Sequence, residues 1–138
     1  MIIPINEENL ESFNQLLFLF HKRKITLEEI SNNRFSHYFV YMKEQTVVAY
    51  IQYSIYYEKA ELDDIFVLEE YRRMGIAKEL LNCFINDCKL NQCENMTLEV
   101  REDNEEAISL YQAYGFQGVA KRKNYYQDCD AILMERKL

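Results

Sequence analysis

The stretch Tyr71-Arg72-Arg73-Met74-Gly75-Ile76-Ala77-Lys78 combines the residue types that hold an anion. An apolar run precedes it and a run of helical periodicity follows it, so it reads as the turn from a strand into a helix. Gly75 lets the backbone approach a bound group closely, and the first N–H groups of a helix have no partner within the helix. Their positive dipole end, with the charges of Arg72, Arg73 and Lys78, suits a diphosphate. The chain has no GxxxxGK[ST] loop and no GxGxxG turn, so the common nucleotide fingerprints are excluded.

The elements that must carry this turn follow from periodicity. Leu10, Phe13, Leu16, Leu17 and Phe20 recur at helical spacing, and Thr26 with Glu29 forms a capping box for a second, short helix. From Tyr38 to Val67 the texture changes to tyrosine, valine and isoleucine, broken at Lys43-Glu44-Gln45 and Tyr57-Glu58-Lys59, which predicts three antiparallel strands. Ile76, Leu80, Leu81, Phe84, Ile85 and Cys88 then share a helix face, and Met96, Leu98 and Val100 alternate with polar residues as in a strand. Such a β-α-β unit pairs its strands in parallel, which sets the strand ending near Val67 beside the strand around Glu99.

Asp103 and Glu106 read as a further capping box, Gly115 as the C-terminal turn of that helix, and Phe116–Lys121 and Ala131–Arg136 as a last pair of strands. The expected fold is α/β: a mixed sheet with antiparallel N-terminal strands and one parallel β-α-β pair, flanked by helices. On a regular strand Asp63 and Asp64 point to opposite faces, so at most one of them faces a cleft.

A length of 138 residues, 49% of them hydrophobic, suits one domain over residues 1–138. A net charge of -7 opposes binding to a phosphate backbone and suits a basic peptide instead. No apolar run approaches the ~20 residues of a membrane span, and Met1 to Asn9 carry acids rather than a basic leader. Cys83, Cys88, Cys93 and Cys129 lack CxxC spacing and a companion histidine, so no metal site is expected; reduced thiols fit a cytoplasmic protein.

Arg72-x-x-Gly75-x-Ala77 resembles the [Gln/Arg]-x-x-Gly-x-[Gly/Ala] signature with which GNAT-superfamily acetyltransferases hold the pyrophosphate of acetyl-CoA. The order of the following segments is similar too: Leu98-Glu99-Val100-Arg101, then Asn104, then Leu110-Tyr111-Gln112-Ala113-Tyr114-Gly115-Phe116. Within the superfamily, Leu98-Glu99-Val100-Arg101, Asn124-Tyr125-Tyr126 and Asp130-Ala131 resemble the bacterial ribosomal-protein-alanine N-acetyltransferases, which acetylate a ribosomal protein's N-terminal amine.

The resemblance implies an acetyl-CoA-dependent N-acetyltransferase with a GNAT fold and a protein or peptide acceptor, such as a basic ribosomal-protein N-terminus. It implies Glu99 as general base and Tyr111 as general acid. Glu61 is the rival base by its distance before Gly75, as in the histone-acetyltransferase branch, and Asp64 a weaker one. Acetyl-CoA would be held by the turn Arg72 to Lys78, including Arg73, Met74, Ile76 and Ala77, and by backbone N–H groups of Ile65, Phe66 and Val67. Asn104 is either a further cofactor contact or only a helix cap. Tyr125 and Tyr126 would shape a peptide groove. A small-molecule amine or lysine side chain as acceptor stays open beside the N-terminal amine, as does a CoA-binding module without turnover.

Overall fold

In the computed structural model, which describes residues 1–138, the chain opens with a strand that periodicity does not announce. Strand β1 (Ile2–Pro4) pairs antiparallel with Phe39–Tyr41, and three residues are too few to display an alternation. Helix α1 (Leu10–His21) buries Phe13, Leu16 and Leu17. It stops where Lys22 takes left-handed backbone (φ 58°) and donates its N–H to the Phe18 carbonyl. The Asn14 amide then clamps the returning chain, donating to Ile25 O and accepting from Ile25 N–H, both at 2.9 Å. Helix α2 (Leu27–Asn32) begins on Thr26, whose Oγ1 accepts from the Glu29 N–H at 3.1 Å, the N-cap half of the expected capping box, while the Glu29 carboxylate takes the Thr26 hydroxyl at 3.2 Å rather than its backbone N–H.

Strands β2 (Ser36–Lys43), β3 (Thr46–Tyr56) and β4 (Lys59–Val67) form the antiparallel meander, with Glu44 and Tyr57 at positive φ in its two turns. Helix α3 (Ile76–Leu90) crosses to β5 (Asn95–Arg101), which runs parallel to β4. Helix α4 (Glu105–Ala113) and the hairpin of β6 (Gln117–Tyr126) and β7 (Cys129–Lys137) complete the chain. The sheet order is β1-β2-β3-β4-β5-β7-β6, all antiparallel except the β4–β5 pair. No helix is long and apolar enough to cross a membrane.

One detail of the parallel pair departs from the sequence expectation and matters most for the site. Pairing covers only Lys59–Leu62 against Asn95–Leu98, after which β4 stays with β3 while β5 stays with β7. Val67 and Glu99 are therefore not neighbours; they stand on opposite arms of a wedge. The parting coincides with a bulge: Tyr53 pairs with Leu62 and Gln52 with Asp64, so Asp63 is an extra residue. A bulge bends its strand and re-aims the side chains beside it.

Two apolar layers hold the sheet. Helix α3 packs Leu80, Leu81 and Phe84 against Ile51, Leu62, Met96 and Leu98 on one face, in a core that also contains Tyr111 and Phe116 from the α4 region. On the other face α1 packs Phe13, Leu16 and Leu17 on Val40, Val47 and Tyr50, covering only the β2–β4 half. The β5–β7–β6 half of that face has no helix over it. The C-terminus of α4 closes as its sequence suggests: Gly115 takes φ 90°, and the N–H groups of Gly115 and Phe116 return to Gln112 O and Tyr111 O at 3.0 Å. This turn anchors Phe116 in the core beside Tyr111.

Candidate active site

At the wide end of the wedge the chain leaves β4 through a single 3-10 turn, Glu69–Tyr71, closed by Tyr71 N–H to Leu68 O and Arg72 N–H to Glu69 O. Beyond it, the N–H groups from Arg73 to Lys78 find no acceptor within the protein; the first return bond is Glu79 N–H to Gly75 O at 3.1 Å. Arg73 (φ 64°) and Gly75 (φ 82°) turn this backbone into a concave run of donors ahead of α3. A Cβ at Gly75 would meet no atom within 4 Å, so the space above the turn is open. Arg72 folds back, its Nε donating to Val67 O at 3.0 Å and its guanidinium lying 5.9 Å from the Phe66 ring centre.

The inner edge of β4 supplies further donors. Leu68 N–H bonds Val48 O at 2.9 Å, and successive strand residues send their N–H groups to alternate edges. Asp64 and Phe66 therefore also face β3, while Ile65 and Val67 face the wedge. Of the three residues expected to lend N–H groups, Phe66 is thus committed to the sheet, and its ring packs on Phe20 with centroids 4.4 Å apart.

Below these donors lies a cleft of about 360 Å³ between the end of α1 and the β6–β7 hairpin. Its walls bring together His21, Asp64, Glu99, Asn104, Tyr111 and Tyr126. Another hollow, about 380 Å³ between Glu7 and Lys24, is lined by residues of the α1 region and lies off the wedge. Tyr111 is only 6% exposed and its ring belongs to the core, yet its hydroxyl bonds no protein group and opens on the cleft. Burial, then the Asp64 charge, then Tyr126 push this phenol up to about 12, so it stays protonated at neutral pH.

Glu99 sits across from it with its side chain 15% exposed. Its Oε1 lies 3.5 Å from Arg122 Nη2, and its Oε2 is buried without a hydrogen-bond partner. Glu61, by contrast, is solvent-exposed, pairs with Thr97 in the joined part of the sheet and does not line the cleft. Its carboxyl is still raised, by partial desolvation from its neighbours, then by the charges of Asp63 and Glu99. Of the candidate bases, Glu99 and the weaker Asp64 share a cavity with Tyr111, and Glu61 does not.

The sequence profile of the acetyltransferase (GNAT) family matches residues 5–116, most of the chain, including the wedge and the donor-rich turn. The chain belongs to the GNAT acetyltransferase family. The N-alpha-acetyltransferase of Saccharolobus solfataricus is 35% identical over 152 aligned residues, covering 99% of this chain and 86% of its own. N-alpha-acetyltransferase 50 of Danio rerio is 29% identical over 147, with the same coverage. The crystal structure of the ribosomal-protein-S18-alanine N-acetyltransferase from Escherichia coli superimposes with a TM-score of 0.84 at 25% identity, covering 99% of this chain and 92% of that one.

The structure of this GNAT enzyme decides between some sequence readings and adds others. Asn104, not Asp103, caps α4: its Oδ1 accepts from Ala107 N–H at 3.1 Å, which leaves its Nδ2 free at the cleft edge. Asp103 instead takes a forked pair of bonds from Arg101, both at 3.0 Å. Arg101 also binds both carboxylate oxygens of Asp128, at 3.1 and 3.0 Å, and lies over the Tyr126 ring at 5.4 Å. It thereby ties the hairpin tip to the end of β5 and sets Tyr126 at the cleft, whereas Tyr125 is exposed with Arg122 over its ring. His21 was missed because its partner is 43 residues away. The expectation that only one of Asp63 and Asp64 faces the cleft also fails, because the bulge turns both toward it.

Proposed function

We infer that this chain transfers the acetyl group of acetyl-CoA to the free N-terminal amine of a protein or peptide, by direct attack within a ternary complex. The observation that carries the reading is the wedge itself: unpaired backbone donors line one end, and the Glu99 carboxylate and the unpaired Tyr111 phenol line a common cleft at the other. The donor run from Arg73 to Lys78 fits a pyrophosphate, with Met74, Gly75, Ile76 and Ala77 contributing backbone and Arg72, Arg73 and Lys78 charge. Ile65 and Val67 offer N–H groups to an extended amide-bearing arm and to the oxygen on which charge develops when the thioester is attacked. Asn104 caps α4 with its oxygen and offers its amide to the cofactor, so the two readings of this residue are compatible.

In the acceptor half of the cleft, Glu99 takes the proton of the ammonium and Tyr111 donates to the departing sulfur. The thioester of acetyl-CoA supplies the activated acetyl group. The three relatives, by their names, act on protein N-termini, and an α-amine at ~7.7 to 8.0 is far easier to deprotonate than a lysine near ~10.4. The acids beside the cleft, Glu61 and Asp63, suit a peptide with basic residues following.

The test is release of free CoA thiol from acetyl-CoA in the presence of a basic peptide. A free N-terminus should support release, and the same peptide blocked at its N-terminus should not. In the same assay Gly75→Val should raise the KM for acetyl-CoA by about tenfold or more, because its side chain enters the open space above the donors and disfavours φ 82°. Equal rates with the blocked peptide would exclude the N-terminal acceptor, and an unchanged KM would remove the pyrophosphate from this turn.

A further inference from the structure

The reaction needs a carboxylate at the cleft that takes a proton, and Glu99 is assigned that part; Asp64 is a second cleft carboxylate with a different environment. His21 Nε2, from the last turn of α1, lies 2.6 Å from Asp64 Oδ2. The Tyr50 hydroxyl, from β3, donates to the same oxygen. Burial and the Asp64 charge push the Tyr50 phenol far up, so it remains a donor throughout the working pH range. The two partners come from two elements and meet on one oxygen, which fixes the carboxylate plane.

The other oxygen, Oδ1, has no protein partner, yet it is not among the sealed unpartnered atoms of the molecule. It therefore opens to the cleft that Asp64 lines. The side chain is 17% exposed, enough for access and little enough that a charge contact is not fully screened. The bulge at Asp63 is what turns it there. Asp64 also adjoins Ile65, whose N–H faces the wedge, and its charge reaches Tyr111. A cation placed on Oδ1 would stand beside the acid and the thioester site.

We propose that Asp64 binds the ammonium form of the acceptor through its free Oδ1, with His21 and Tyr50 as positioning residues that hold the carboxylate. This rests on the reading of the chain as an amine acetyltransferase. The division of labour is then between a binding carboxylate fixed by two partners and a proton-taking carboxylate, Glu99, with one oxygen unpartnered. It also favours product release: the acetylated amide is neutral and keeps no charge contact with Asp64, so product is held less tightly than substrate.

Calorimetry of peptide binding to the CoA-loaded protein tests this, with one basic peptide in free-amine and N-acetylated forms. The wild type should bind the free amine more tightly. Asp64→Asn should weaken free-amine binding by roughly tenfold, the scale of a hydrogen bond between charged groups at a partly exposed site, and leave the N-acetylated form unchanged. His21→Ala should give a smaller loss of the same kind, and CoA affinity should hold in both variants. Equal weakening of both peptide forms would mean that Asp64 only shapes the cleft, and equal binding of both forms by the wild type would also overturn the proposal. Absence of acetylation of this peptide by the wild type would strike the functional reading instead, whatever Asp64→Asn does to binding.

Discussion

Tyr111→Phe should lower kcat by ~10²- to 10³-fold while acetyl-CoA affinity and melting temperature stay nearly unchanged, because the hydroxyl matters only when the sulfur leaves. The ring stays, and with it the packing against Phe116 and the rest of the core. The lost hydroxyl bonds no protein group, so its removal leaves no buried partner stranded. The phenol lies at about 12, against ~8.5 for an ordinary thiol, so full proton transfer to the departing thiolate runs uphill. What the hydroxyl supplies is a donor bond that strengthens as charge grows on sulfur. Steady-state kinetics at saturating acceptor measure this, and a kcat within a few-fold of wild type would mean that water or another group stabilises the departing sulfur.

The second large effect is expected at Glu99. Glu99→Gln should cost ~10²- to 10⁴-fold in kcat at pH below the acceptor's own pKa, where the amine is protonated and needs a base. Raising the pH should restore much of the rate, since an α-amine above ~8 is already neutral. Glu61→Gln should leave the pH profile close to wild type, because Glu61 stands outside the cleft that holds Tyr111. Rate–pH profiles of the two variants separate them: rescue by alkali in Glu61→Gln alone would exchange the two assignments.

Local pattern carried the elements well wherever a face was long enough to repeat. The α3 stripe from Ile76 to Cys88, the Thr26 cap and the Gly115 turn all depend on residues within a few positions, and each is found as the sequence suggests. The donor-rich turn was legible for the same reason, since Arg72, Gly75 and Ala77 lie within one turn. The splaying of β4 from β5 was not, because it depends on a bulge that nothing in Leu62-Asp63-Asp64-Ile65 announces.

The cleft was half legible. Glu99 and Tyr111 stood out through their motif, but Glu99's contact with Arg122 and the convergence of His21 and Tyr50 on Asp64 join distant parts of the chain. Asp103 and Asn104 show the limit at short range. Both are good caps by type, and the choice fell to Asn104 because Arg101 engages Asp103.

The central claim, that acetyl passes from acetyl-CoA to an N-terminal amine, is tested most directly with one peptide carrying both a free N-terminus and an internal lysine. Incubation with acetyl-CoA and the wild-type protein, followed by fragmentation mass spectrometry, locates the new acetyl group. A single acetyl on the α-nitrogen, with the lysine side chain unmodified, is the result predicted. Acetyl on the lysine instead, or thiol release without any acetylated peptide, would contradict it.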